Sequence, residues 1–275
     1  MGSFYYATAA DRLAVTWALD TGTARTGYEV ANLNALPGLN DPSLPLWILE
    51  NSIRITADLG SDKVLVGAFI FAHTFDAALN VRFQANASNS WGAPTLSQPL
   101  TINSPYNKFT CHAGVDLRTA LPNAIDRTFR YISIANLSAN SKTVAIGEVW
   151  IVTAYAPLGI TREFSLPKDE ITVSQDSRRG VQTVYGLGSR RRDIAAKIRL
   201  PIADASPVLD WQDTQQGNLN LTVVQLDATS SERRLSEPRL CRFTGMQDPT
   251  AVNEMSQYEV SVNLQEVGQG EPVNA

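Results

Sequence analysis

The chain has 275 residues, 44% of them hydrophobic and 18% charged, and its 23 basic and 27 acidic side chains leave a net charge of −4. That apolar content argues against a disordered chain, and the length implies about two domains, each able to bury a core. A net negative charge argues against nucleic acid as the main partner, because phosphate binding rests on a dominant positive field.

Residues 1–27 are small, polar and turn-rich, and read as an N-terminal arm. Within it Leu13, Val15 and Trp17 alternate with Arg12, Ala14 and Thr16, the pattern of a short strand. Three prolines and Gly38 make 32–45 a loop, which Trp47 closes. Ile53, Ile55 and Ala57 then alternate with Arg54, Thr56 and Asp58, predicting a half-buried strand that ends at Gly60. Residues 64–73 are almost wholly apolar and rich in Val, Ile and Phe, predicting a core strand. Leu79, Val81 and Phe83 alternate with Asn80, Arg82 and Gln84 in another. A polar stretch, 85–99, carries Trp91. Farther on, Phe129, Tyr131, Ser133 and Ala135 are expected to face one way and Arg130, Ile132 and Ile134 the other. Residues 145–154 close the unit. Short strands, long polar connections and almost no helical period predict a β-sandwich or jelly roll over 28–155. Its first and last strands are expected to lie side by side.

Pro157 and Gly159 mark a linker at 155–159. A second β domain is expected over 160–267. Ile194, Ala196, Ile198 and Leu200 alternate with Ala195, Lys197 and Arg199, and further strands are predicted at 219–227 and 239–246. Residues 203–216, with Val208, Leu209 and Trp211, predict a short amphipathic helix. The clearest alternation is Tyr258, Val260, Val262 and Leu264 against Glu259, Ser261, Asn263 and Gln265. Residues 268–275 form a polar tail that is expected to be mobile.

Cys111 and Cys241 show no metal-type spacing and read as free, buried thiols in a reducing compartment, a disulfide across the two domains being the minority reading. The N-terminus lacks a secretory pattern, and no run approaches the ~18 apolar residues that span a bilayer, so a soluble, cytosolically made product is expected. The sequons at Asn86, Asn136 and Asn220 are then chance matches. His73 ends an apolar run and His112 follows Cys111, but neighbours on a strand point to opposite faces, so Cys111 and His112 do not pair directly. Structural roles are expected for both histidines, with no catalytic residue, cofactor or metal. Asp58, Asp62 and Glu148 are accounted for by turns and strand faces, and Asp41, Asp58 and Asp62 are too sparse for a calcium site. Aromatic rings on loops stack on sugars, which makes Trp91 and Tyr106 candidate glycan contacts. Trp47 and Trp150 are expected in the core. For Trp91 both exposure and burial stand open.

Five pieces in order carry a family resemblance. They are Tyr28-Glu29-Val30-Ala31-Asn32-Leu33, the Pro-rich loop closed by Trp47, Ile55-Thr56-Ala57-Asp58-Leu59-Gly60, Arg130-Tyr131-Ile132-Ser133-Ile134 and Ile146-Gly147-Glu148-Val149-Trp150. Together they resemble the discoidin-like β-sandwich modules of bacteriophage tail proteins. The second domain is similar in pattern to the tail-tube-like β-barrel, with one short helix, of tail tube and distal tail proteins. The order of the two domains is the reverse of that common among distal tail proteins. The resemblance implies a non-enzymatic virion protein of a long, non-contractile tail tip, made in the host cytoplasm. It also implies a homo-oligomeric ring of six copies between tail tube and baseplate hub, with sandwiches displayed outward for host adsorption and DNA only passing through. Arg178, Arg179, Arg190, Arg191 and Arg192 are the candidate ring-interface residues, facing acidic residues such as Asp169, Glu170, Asp204, Asp210 and Asp213 on the next copy. The alternative is a carbohydrate-binding adhesion module without enzymatic activity, working on a cell-surface glycan through Trp91 and its loop. A hydrolase would need catalytic groups that this sequence does not display.

Overall fold

A computed structural model of the chain describes residues 3–6, 15–27, 29–34, 46–48, 53–75, 79–102, 112–138, 144–157, 160–165, 168–169, 172–176, 182–186, 191–201, 221–225, 238–246, 250–252 and 257–266. The chain divides into two compact units, one taking in Tyr5–Tyr155 and the other Ala156–Gln269 together with Met1–Phe4. It is mainly β, as the alternation in the sequence implies.

In chain order the first strands are β1 (Ser3–Tyr6), β2 (Thr16–Thr21), β3 (Leu46–Ile48), β4 (Ile53–Val64), β5 (Gly67–His73), β6 (Val81–Asn86), β7 (Leu96–Pro99), β8 (Thr101–Ile102), β9 (His112–Asp116), β10 (Thr128–Asn136) and β11 (Val144–Val152). Two five-stranded sheets make a sandwich, with orders β2-β4-β10-β6-β7 and β3-β11-β5-β9-β8. The described pairings are antiparallel, and the chain passes repeatedly from one sheet to the other. As expected, strands from the two ends of the segment are neighbours: β4 pairs with β10 and β3 with β11.

One core lies between the sheets. Trp17, Ile55, Ala57, Phe83, Ile132 and Ile134 on the first sheet meet Ala68, Ile70, Ala113, Ile146 and Val149 on the second. Burying each large apolar side chain stabilises the fold by about 1.5–3 kcal/mol. The alternation predicted for β4 and β6 is present, since Ile53, Ile55, Ala57 and Leu59, and then Val81, Phe83 and Ala85, all enter this core. In β10 the phase differs from the sequence reading. A register shift between Phe129 and Tyr131 inserts a bulge, so Phe129 joins Ile132 and Ile134 in the core instead of sharing a face with Tyr131 and Ser133.

The apolar run at 64–73 is split rather than continuous. β4 extends to Val64 and β5 begins at Gly67. Between them, Leu65 N–H donates to the Arg127 carbonyl at 2.9 Å and Val66 N–H to the Val152 carbonyl at 2.8 Å. The buried Arg127 returns a bond from Nη1 to the Leu65 carbonyl at 3.0 Å. A Cβ at Gly67 would sit 2.6 Å from the Val115 carbonyl oxygen, so only glycine lets β9 approach here. Trp150 is 1% exposed, in keeping with its expected structural role, and lies opposite Phe69 in the β11–β5 register.

The second unit contains β12 (Ala154–Pro157), β13 (Ile160–Ser165), β14 (Lys168–Asp169), β15 (Thr172–Asp176), β16 (Gln182–Gly186), β17 (Arg191–Pro201), β18 (Leu221–Gln225), β19 (Arg239–Met246), β20 (Thr250–Val252) and β21 (Gln257–Glu266). Its large sheet runs β12-β1-β18-β19-β21-β17-β13, with β14 paired to β17 and β20 to β21, while β15 and β16 form a separate hairpin. The first 27 residues therefore do not act as one arm, because β1 enters this sheet and β2 edges the sandwich. On β21, Val260, Val262 and Leu264 are buried and sit opposite Ile198, Ala196 and Ile194 of β17. The helix expected at 203–216, the tail at 268–275 and the linker residues 158–159 lie outside the described residues.

Candidate functional site

The polar phase of the strands that build the core forms the outer face of the β2-β4-β10-β6-β7 sheet. Cross-strand register sets its side chains in three ranks. Thr16, Asp58, Tyr131 and Asn86 make the first. Ala18, Thr56, Ser133, Gln84 and Ser97 make the second, and Thr21, Arg54, Ala135, Arg82 and Pro99 the third. An outer sheet face of this composition is normally solvated on an antiparallel sandwich. Here its middle is covered: Ser133 is 0%, Ala135 1%, Gln84 4% and Thr56 7% exposed.

The loop between β6 and β7 accounts for part of this cover. Asn86 folds it, donating from Nδ2 to the Ser90 carbonyl at 2.7 Å and accepting at Oδ1 from Ala87 N–H at 3.0 Å and Thr95 Oγ1 at 2.8 Å. Trp91 Nε1 donates to Asn89 Oδ1 at 2.9 Å within the same loop. The indole is only 9% exposed, and its ring centroid lies 5.8 Å from the guanidinium carbon of Arg54. Of the two alternatives the sequence left open for Trp91, the structure shows burial, though against a polar outer face rather than in the core.

Beneath and beside the indole the hydrogen bonding is incomplete. Arg82 donates from Nε to Ser97 Oγ at 2.8 Å and from Nη2 to the Ser97 carbonyl at 2.7 Å, and Gln84 Nε2 donates to Ser97 Oγ at 3.3 Å. Three further atoms, Arg54 Nε, Gln84 Oε1 and Ser133 Oγ, are buried with no hydrogen-bond partner among the described residues. Leaving such a group unmade costs about 1–3 kcal/mol, so three on one face is a concentrated expense.

At the adjoining end of the face, Arg130 grips Asp58 with both arms of its fork, Nε to Oδ1 and Nη2 to Oδ2, each at 2.9 Å. The pair is half exposed, and the Arg130 guanidinium carbon lies 5.2 Å from the Tyr131 ring centroid. Gly60, at φ +77°, also donates its N–H to Asp58 Oδ1 at 2.8 Å. The Arg130 hydrogen bond, followed by that from Gly60, holds the Asp58 carboxyl below its usual range, and Asp58 in turn raises the Arg130 guanidinium.

The other sequence candidates fall elsewhere. Tyr106, Cys111, Arg178, Arg179 and Arg190 lie outside the described residues. Arg191 and Arg192 lie on β17 opposite Asp169 and Lys168 of the same chain. His73 is buried, its Nδ1 accepting from Phe75 N–H at 3.1 Å, and Cys241 is a buried thiol. Among the described residues no group of three or more His, Cys, Asp or Glu is placed to hold a metal, and no helix is long and apolar enough to cross a membrane.

Sequence reasoning missed Arg54, Arg82, Gln84 and Ser133 because each sits at an ordinary polar position of a half-buried strand. The register sets Ser133 between Thr56 and Gln84, and Ala135 between Arg54 and Arg82, so the two small residues of the central strand leave room between longer polar side chains.

No protein-family model matches the sequence, and no curated protein matches it. Among solved structures, the chain is similar to CpGH89CBM32-6 produced by Clostridium perfringens, with 14% identity over 54% of this chain and 99% of that one and a TM-score of 0.37. A Streptococcus pneumoniae fucose binding module gives 13% identity over 54% and 96%, with a TM-score of 0.37. The family 32 CBM from C. perfringens NanJ in complex with galactose gives 13% over 54% and 98%, with a TM-score of 0.34. At these values the likeness assigns neither a family nor a ligand to this chain. None of these proteins is described as a phage tail component, and they lend no support to the six-copy ring or to tail-tube and baseplate partners.

Proposed function

We propose that the sandwich is a non-enzymatic carbohydrate-binding module whose ligand docks on the outer face of the β2-β4-β10-β6-β7 sheet, beside the Trp91 loop. The observation that carries this reading is the cluster of unmade hydrogen bonds at Arg54 Nε, Gln84 Oε1 and Ser133 Oγ next to a tucked indole. A sugar presents hydroxyls that both donate and accept, which matches a donor, an acceptor and a hydroxyl held within one patch. Its C–H faces suit an aromatic wall, which Trp91 supplies. With Ser133 and Gln84 buried, this reading requires the loop to move outward on binding; its residues Ala87, Ser88, Asn89 and Ser90 are exposed. Such a module would serve adhesion to a cell-surface glycan.

Screening the intact protein against an array of glycans, then titrating the hits by calorimetry, tests this. Gln84→Ala and Ser133→Ala should each weaken binding about fivefold or more, in line with one lost hydrogen bond. Trp91→Ala should abolish it. The reading fails if folded protein binds no glycan, or if all three variants bind as the parent does.

A further inference from the structure

Resting on that reading, we infer that the saccharide taken by this face carries a carboxylate. Arg54 and Arg82 both sit opposite Ala135, one on each neighbouring strand, which places them about 10 Å apart across the sheet. Neither forms an ion pair with a carboxylate among the described residues. Arg82 spends two donors on Ser97, a neutral residue, and Arg54 rests on the indole with its Nε unpartnered. Asp20 stands in the β2 bulge beside Thr21, the residue paired with Arg54, but forms no ion pair with either arginine. A second carboxylate stands on this face, at Asp58. It lies four residues along β4 from Arg54, about 13 Å at the rise of a strand, and Arg130 already holds it. The patch around Ala135 thus holds two guanidinium groups with no carboxylate ion-paired to them among the described residues, on a chain whose net charge is −4.

A guanidinium fork is matched in geometry and charge by a carboxylate, which accepts two parallel bonds. A neutral sugar satisfies Gln84 Oε1 and Ser133 Oγ but leaves both arginines uncompensated. Inorganic sulfate compensates the arginines but has no hydroxyl to donate to Gln84 Oε1. An acidic sugar does both, with the carboxylate toward Arg54 and ring hydroxyls toward Gln84 and Ser133.

The test uses the intact protein and two uronate-containing oligosaccharides that differ only in whether the carboxyl groups have been reduced to alcohols. The acid form should bind about 10- to 100-fold more tightly, as one charge-assisted contact implies, and the gap should narrow as salt is raised. Arg54→Gln should erase this preference while the reduced sugar still binds, and Arg54→Lys should restore part of it. If Arg54→Gln does not fold, Arg82→Gln should lose part of the same preference. Equal binding of acid and reduced forms overturns the inference and leaves the carbohydrate reading standing. Competition by sulfate as strong as that of the acid oligosaccharide also overturns it, showing an anion site without sugar recognition. Failure of every saccharide to bind removes both.

Discussion

The two faces of the β2-β4-β10-β6-β7 sheet are buried to a similar depth by opposite chemistry. Inside, Ile55, Phe83 and Ile132 are each 0% exposed and belong to a common apolar core. Outside, Ser133 is also 0% exposed, and Gln84 only 4%, yet both keep a polar atom without a partner among the described residues. Burial on the inner face drives folding. On the outer face it opposes folding, because polar groups give up water and gain nothing in return. A cost kept where solvent would remove it points to a use other than stability, in line with the tension between activity and stability seen at binding sites.

The sharpest way to test that contrast is to truncate one residue on each face and compare signs. Phe83→Ala should destabilise the protein by about 3–5 kcal/mol, through lost burial and the cavity left behind. Ser133→Ala, at the residue next to the core position Ile132 and on the opposite face of β10, should do the reverse and raise stability by about 1–3 kcal/mol, since it deletes an unsatisfied hydroxyl without changing shape much. Denaturant midpoints for parent and variants read both effects. A loss of stability in Ser133→Ala would show that the hydroxyl is a satisfied structural group and would remove the basis for treating the outer face as a site.

How much of this was legible in the sequence follows the same division. Alternation at Ile53, Ile55 and Ala57, at Val81 and Phe83, and at Val260, Val262 and Leu264 announced the strands, because period-two burial is written directly in residue type. Phase within β10 was not legible. A bulge between Phe129 and Tyr131 adds a residue without any glycine or proline to mark it. Nor was the break after Val64, where the long apolar run hides a corner made by backbone bonds from Leu65 and Val66 to distant carbonyls. For the site, Trp91 drew notice as an aromatic in a polar loop, but its partners did not. Arg54, Gln84 and Ser133 come from three strands, and only the register sets them together.

The smallest expected effect lies at the exposed end of the same face and separates an ordinary surface ion pair from the buried patch beside it. The folded-state pKa of Asp58 lies below its ordinary value of 3.8, chiefly because Arg130 bonds the carboxylate. A carboxyl depressed on folding contributes stability that is fully present above the unfolded pKa and is lost as pH falls through the folded value. The stability difference between the parent and Asp58→Asn should therefore hold steady at pH values above the ordinary carboxylate range and shrink as pH falls below it. Half-exposed pairs are also screened, so added salt should reduce the same difference at neutral pH. Affinity for the carboxyl-reduced oligosaccharide, which has no titrating group of its own, tracks this profile only if the Asp58–Arg130 pair belongs to the binding face. A pH-sensitive stability difference with unchanged affinity for the reduced sugar would confine the site to the ranks of Arg54, Gln84 and Ser133.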